Sequence, residues 1–392
     1  MKRISEFIRR EAIQRTIHYY LLFIYLGLAM GVYGPTLPDL ASQTNSRLGQ
    51  MGYIFLIGSI GFLLGNLLGG HLYDSLKSHM VSGMGQIISA ALILLIPVLP
   101  SFWLLMTLIL LKGIAEGLII NGGNLLLVWT HGKDVGPFLI ALHFSSGLGA
   151  FLGPFIIGGL IQFPHGYQWA YWMIGVIGLI MGLKLFFLPG SPSPVNSEMG
   201  EAGSPNAAIS PLIFVAALYL FFYVGIERTY SSWIYTVATT LKIFSQSGAA
   251  YLTSAFWFLF TTGRLLSIPI ATRFRPQQIL PFALTGCVAS MALAMLLTPT
   301  TSLLWVLTIV FGFCMAPLWP MGFTLAGQSI KLTARLSTII MLGDNFGGML
   351  LPWIVGQVID ITGPQMVFTI VFGGSVMTFL SYLLMSHLTK RS

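Results

Sequence analysis

Within stretches that are otherwise apolar, this chain places acids, bases, amides and a histidine at spacings that put several of them on common helical faces. In FFYVGIERTYSSW, residues 221–233, Glu227 and Arg228 stand side by side. At bilayer depth an ionisable side chain costs about 2.5–3.5 kcal/mol on insertion scales, so each needs a polar partner, a water-filled cavity or a task. An enclosed carboxylate can take up a proton or hold a small cation, which is the chemistry of ion coupling. Lys112 and Glu116 lie one turn apart in LLKGIAEGLIINGGNLLLVW, and Ile120 and Asn124 continue the same face. Glu116 can therefore carry a proton, or it can do no more than neutralise Lys112. His143 is a candidate proton relay or a packing residue bonded across a helix interface. Asp344 is a third intramembrane acid. The ion-coupling set is thus Glu227, Glu116, Asp344 and His143.

A second set suits recognition. Aromatic faces combined with amide and carboxylate groups are what a polyhydroxylated ligand needs. Glu227, Tyr230, Trp233, Asn121, Asn124, Trp257 and Asn345 are the candidates; an aromatic belt at the outer membrane interface is the alternative for Trp233 and Tyr235. Arg228 points about 100° away from Glu227 on a helix, toward a different wall. Arg264 is expected to anchor the inner end of its span. Asp74, Arg228 and Arg264 are the gating candidates.

Positioning these groups requires long apolar helices. Of the 392 residues 55% are hydrophobic and 8% charged, a balance that excludes an ordinary soluble chain. Spans of the necessary length are expected at 17–38, 49–70, 79–99, 102–128, 136–162 and 167–188, then at 211–238, 248–270, 279–298, 302–327, 334–358 and 364–387. The expected fold is all-α integral membrane: twelve transmembrane helices in two six-helix bundles, 17–189 and 211–388. Residues 1–16 form a cytoplasmic N-terminal segment, basic and without a cleavage site. Residues 190–210, rich in Ser, Pro and Gly, form a cytoplasmic linker. The loop Lys and Arg residues fall on one side, from Arg9, Arg10 and Arg15 through Lys77, Lys133, Arg273 and Arg275 to Lys331 and Lys390. Only Arg47 and Lys242 oppose them, so both termini are expected in the cytoplasm. The net charge of +8 reads as topology and attraction to anionic lipid, with no nucleic-acid partner. Cys287 and Cys314 lie within spans and read as small apolar fillers.

The two halves repeat. At an offset of 198 residues, the separation of Gly27 and Gly225, Phe23 and Tyr25 meet Phe221 and Tyr223; Tyr53 and Gly65 meet Tyr251 and Gly263; Gly149, Pro154 and Gly158 meet Gly347, Pro352 and Gly356. Glu227 then corresponds to Ala29 and Asp344 to Ser146, so acid stands in one half only. A parallel repeat of six helices resembles the plan of major facilitator transporters.

The segments ALHFSSGLGAFLGP, FFYVGIERTYSSWIYTVATT, AAYLTSAFWFLFTTGRLLSIP and MLLPWIVGQVID resemble the fucose-permease and sodium-dependent glucose transporter branch of that superfamily. The resemblance implies sugar uptake by symport with a proton or sodium, in the cytoplasmic (inner) membrane, by a monomer and without a cofactor. Glu227 then sits in the YVGxE run, and Asn124 ends the acid-T-x-x-N pattern. Gly70-x-x-x-Asp74 with Lys77 resembles part of the superfamily's gating loop, where Asp74 can latch one state or stand as a solvated acid. Two expected coupling acids are missing, at Ile120 and at Gly34 before Pro38. Gly149-x-x-x-Gly153-Pro154-x-x-x-Gly158-Gly159 also resembles the run of drug–proton antiporters, which makes export the alternative; a non-transporting receptor is another. A membrane enzyme would need a nucleophile with a base or an H-E-x-x-H helix, and the sequence carries neither.

Overall fold

The computed structural model describes residues 2–188, 211–328 and 334–389, so the expected linker lies outside the described residues. The described residues form helices, with no strand among them. Eleven helical stretches are long and apolar enough to cross a membrane, and a bent pair makes a twelfth. The helices are α1 Lys2–Gly31, α2 Tyr33–Gln43, α3 Tyr53–Ser75, α4 Ser78–Leu95, α5 Phe102–His131, α6 Gly136–Leu160 and α7 Gly166–Phe186. They continue with α8 Pro211–Thr240, α9 Gln246–Ala271, α10 Pro276–Leu296, α11 Thr301–Met315, α12 Leu318–Gly327, α13 Ala334–Thr362 and α14 Met366–Thr389.

Two expected continuous spans are broken. The first bends by 51° between α1 and α2. Pro35 has no N–H for the Gly31 carbonyl and its ring crowds that carbonyl, so the helix turns there. The tenth divides into α11 and α12 at Ala316–Pro317 for the same reason.

The chain divides into two compact units. One comprises Met1–Ser46 and Leu56–Ser197; the other comprises Arg47–Phe55 and Glu198–Ser392. In the first, α1 packs on α6, and α4 on α7 and α5. In the second, α8 packs on α13 and α14, α9 on α11, and α10 on α14 and α11. The 3-10 turn Leu48–Gly52 packs against α13 in the second unit, where the Gly49 N–H donates to both oxygens of Asp360 at 3.1 and 3.2 Å.

Each unit contains a very close helix crossing at glycines that the repeat register relates, and in the first unit α3 and α5 approach as closely at Gly61, Gly65, Gly113 and Gly117. A Cβ on Gly149 would strike the Ile24 carbonyl, and one on Gly27 the Ser146 carbonyl. In the second unit a Cβ on Gly347, the repeat partner of Gly149, would strike the Phe221 carbonyl, one residue from the position that the offset assigns to Ile24. Membrane helices gain little from apolar burial against one another, so backbone approach at small residues supplies the van der Waals contact that holds them.

Candidate functional site

Four charged groups of the second unit, on three helices, come together. Glu227 on α8 is buried, its residue 6% exposed. Arg264 on α9 brings Nη2 to 3.9 Å from Glu227 Oε2 and donates to the Tyr223 hydroxyl at 3.3 Å. Its guanidinium lies 4.2 Å from the centre of the Phe260 ring. Arg264 therefore turns toward Glu227 and does not simply anchor the end of its span. Asp344 on α13 accepts a hydrogen bond from Trp319 Nε1 at 3.0 Å and lies within electrostatic reach of Glu227, Arg228 and Arg264. Two acids and two guanidinium groups thus share one region of the unit, with formal charges that cancel.

The local reasons are visible in the sequence. Tyr223 precedes Glu227 by one turn and shares its face, while Phe260 stands one turn before Arg264. At 3.9 Å the Glu227–Arg264 pair exceeds hydrogen-bond length. It is neutral in sum without being latched, and Glu227 keeps lone pairs for a proton, a cation or a hydroxyl. The Arg264 side chain is 39% exposed against 8% for Glu227, so Arg264 is the more accessible member of the pair. Its Nε is buried and has no hydrogen-bond partner.

The first unit holds a separate charged group. Lys112 Nζ contacts Glu116 Oε1 at 2.5 Å and lies 5.0 Å from the centre of the Tyr33 ring. This is the mutual neutralisation that the i, i+4 spacing allows, enclosed by an aromatic face. Tyr25, nearby, bonds Ser89 at 2.9 Å.

Other predicted residues are placed differently. Tyr230 is fully buried, with its hydroxyl 2.6 Å from Thr308 Oγ1 and its ring against Phe256 and Phe311. Trp233 is also fully buried and donates from Nε1 to the Pro352 carbonyl at 3.0 Å, so it belongs to no outer belt; Tyr235 is buried as well. Trp257 packs edge-on against Phe256 and Phe260. Asn121 donates to the Asn66 carbonyl at 3.2 Å, joining α5 to α3. Asn124 and Asn345 donate within their own helices, to the carbonyls of Ile120 and Met341. His143 is exposed and meets Phe23 edge-on, with ring centres 5.8 Å apart. Asp74 is exposed in the last turn of α3. Cys287 is buried and Cys314 partly so, both free thiols.

Sequence reasoning missed Tyr223, Phe260 and Trp319 as members of the charged site. One-turn spacing from Glu227 and Arg264 could have found the first two; nothing local ties Trp319 to Asp344.

The profile of the Major Facilitator Superfamily matches residues 19–352. The sodium-dependent glucose transporter 1 of Xenopus laevis is 31% identical over 357 residues, which cover 84% of this chain and 72% of that protein. A bacterial homolog to the human lysosomal transporter Spinster, in an inward-facing and occupied conformation, superposes with a TM-score of 0.74 at 12% identity, covering 96% of both chains. The inward open xylose transporter XylE from E. coli gives a TM-score of 0.72 at 14% identity, covering 95% of both chains. Both structural likenesses concern the fold. With its repeated six-helix plan, its membrane-length helices and a profile match over most of its length, the chain belongs to the Major Facilitator Superfamily of membrane transporters and resembles the sodium-dependent glucose transporters within it.

Proposed function

We propose that this chain moves a sugar or a similar small polar solute by alternating access, in symport with a proton or a sodium ion, and that Glu227 is the coupling group. The observation that supports the reading is the enclosed Glu227 carboxylate, 3.9 Å from an accessible Arg264. Such a pair tolerates exchange: a cation at Glu227 releases Arg264, whose forked donors then serve a hydroxylated solute. Asp344 and Arg228 complete the charge balance. The relative named for sodium-dependent glucose transport favours this solute class and makes sodium an alternative to the proton.

The moving bodies in this reading are the bundles 17–189 and 211–388. The charge asymmetry of the loops favours cytoplasmic termini and residence in the cytoplasmic membrane. A monovalent cation crossing about 100 mV brings about 2.3 kcal/mol, enough for roughly fifty-fold accumulation of a solute.

The test is uptake of labelled glucose into proteoliposomes under an inward proton or sodium gradient. The wild type accumulates glucose, whereas Glu227→Gln still exchanges it by counterflow but no longer concentrates it. Undiminished accumulation by Glu227→Gln removes that residue as the coupling group.

A further inference from the structure

The outer surface of the first unit carries a cavity that the charged groups above do not use. His18 and Leu21 of α1 and Ile177, Ile180, Met181 and Lys184 of α7 line a groove of about 180 Å³. Its apolar wall continues into open apolar surface, with Ile17 and Ile180 each 50% exposed and Leu183 52%. In a membrane-spanning chain such surface faces acyl chains. The neighbouring residues Tyr19, Leu22 and Leu185 turn the other way, into a buried apolar cluster.

Its polar members are both basic. Lys184 stands exposed in the last turn of α7, and no carboxylate pairs with it among the described residues. His18 uses Nδ1 on the Gln14 carbonyl at 2.8 Å, which orients the ring and leaves Nε2 as its second polar atom. The nearby Arg15 is already paired with Glu11 at 2.9 Å. One end of the groove therefore has unbalanced positive charge and the remainder is hydrocarbon-like, a division that matches one lipid molecule.

We propose that this groove binds an anionic phospholipid, with its phosphate against Lys184 and His18 Nε2 and an acyl chain along Leu21, Ile177 and Ile180. A zwitterionic lipid would bring its own ammonium to a site that already holds that of Lys184. An anionic headgroup instead supplies the missing counter-charge, and the loop charges put this end of the spans at the cytoplasmic leaflet, where anionic lipids concentrate. The simpler alternative is that Lys184 only reaches for the interface, as long basic side chains do at helix ends.

Native mass spectrometry of the full chain released from nanodiscs of phosphatidylcholine and phosphatidylglycerol in equal amounts distinguishes the two. The wild type is expected to retain a phosphatidylglycerol molecule in preference to phosphatidylcholine. The double variant His18→Ala/Lys184→Ala loses that preference, while Lys133→Ala, altered at another exposed base, and Lys184→Arg keep it. Equal retention of both lipids by the wild type overturns the proposal, as does an unchanged preference in the double variant. Should the double variant fail to fold, Lys184→Gln replaces it, and full preference in that variant overturns the proposal equally. Displacement of phosphatidylglycerol by inorganic phosphate alone would make this a free-phosphate site and would overturn the lipid assignment.

Discussion

Arg264 divides its guanidinium between Tyr223, whose hydroxyl accepts at 3.3 Å, and Glu227, whose carboxylate lies at 3.9 Å. The neutral partner is held more closely than the charged one. Both contacts are made by Nη2, and the centre of the Phe260 ring lies 4.2 Å from the guanidinium carbon.

Arg264→Ala is expected to slow glucose uptake about ten- to a hundred-fold, because a charge-assisted contact is worth about 1.5–3 kcal/mol. Arg264→Lys recovers part of this, since an ammonium keeps the charge and loses the fork. Tyr223→Phe removes one contact to the guanidinium, weakened by its length of 3.3 Å, and leaves the charge of Arg264 in place, so its loss is expected to be smaller than that of Arg264→Ala. Initial rates of labelled uptake rank the three variants. Equal losses for Arg264→Ala and Tyr223→Phe would mean that the charge of Arg264 plays no part.

The Lys112–Glu116 pair makes a different prediction. With the two side chains 2% and 19% exposed, removing one partner strands the other. Glu116→Gln leaves an enclosed ammonium facing Tyr33, and breaking a buried pair in this way costs about 3–5 kcal/mol. The double variant Lys112→Met/Glu116→Gln is expected to unfold at a higher temperature than Glu116→Gln alone. If the double variant also accumulates glucose normally, Glu116 is a structural counter-charge and not a coupling acid. Thermal unfolding in detergent and vesicle uptake, measured on the same preparations, separate the two roles.

The spans were legible because apolar length alone specifies them, and the repeat was legible because close helix approach admits only small residues. Gly27 and Gly149 in one unit, and Gly347 with Gly225 in the other, stand where the offset places them. The break at Val32 was not legible, because Pro35 and Pro38 leave no gap in an apolar run. Nor were the directions of Tyr230 and Trp233. α8 is buried on most sides and over most of its length, so periodicity gives no single inward face to choose. The Trp319–Asp344 bond joins two helices across a tertiary contact that no local spacing encodes.

Glycine substitutions test the paired crossings. Gly347→Ala drives a methyl group into the Phe221 carbonyl, and overpacking of this kind costs about 1–3 kcal/mol. Gly149→Ala should cost a similar amount, because its methyl group would strike the Ile24 carbonyl. Gly373 on α14 has open space where its Cβ would be. Alanine there is expected to be neutral or to stabilise by up to about 1 kcal/mol. Melting temperatures in one detergent should order the variants as Gly373→Ala at or above wild type, with the other two below it. Wild-type stability in Gly347→Ala would show that α8 and α13 can separate at no cost.

Tyr230 and Trp233 were expected to touch solute, yet both are enclosed and bonded within the protein. Tyr230→Phe removes the 2.6 Å contact with Thr308 Oγ1. Thr308 still donates to the Leu304 carbonyl, so no group is stranded, and the loss is about 0.5–1.5 kcal/mol of stability. Trp233→Phe removes the bond to the Pro352 carbonyl and also leaves a void, so it should lower the melting temperature further. In both variants the KM for glucose is expected to stay at the wild-type value, because neither side chain is open to a ligand. A raised KM in Tyr230→Phe with an unchanged melting temperature would return that hydroxyl to the binding site, and would require α8 to turn during the transport cycle.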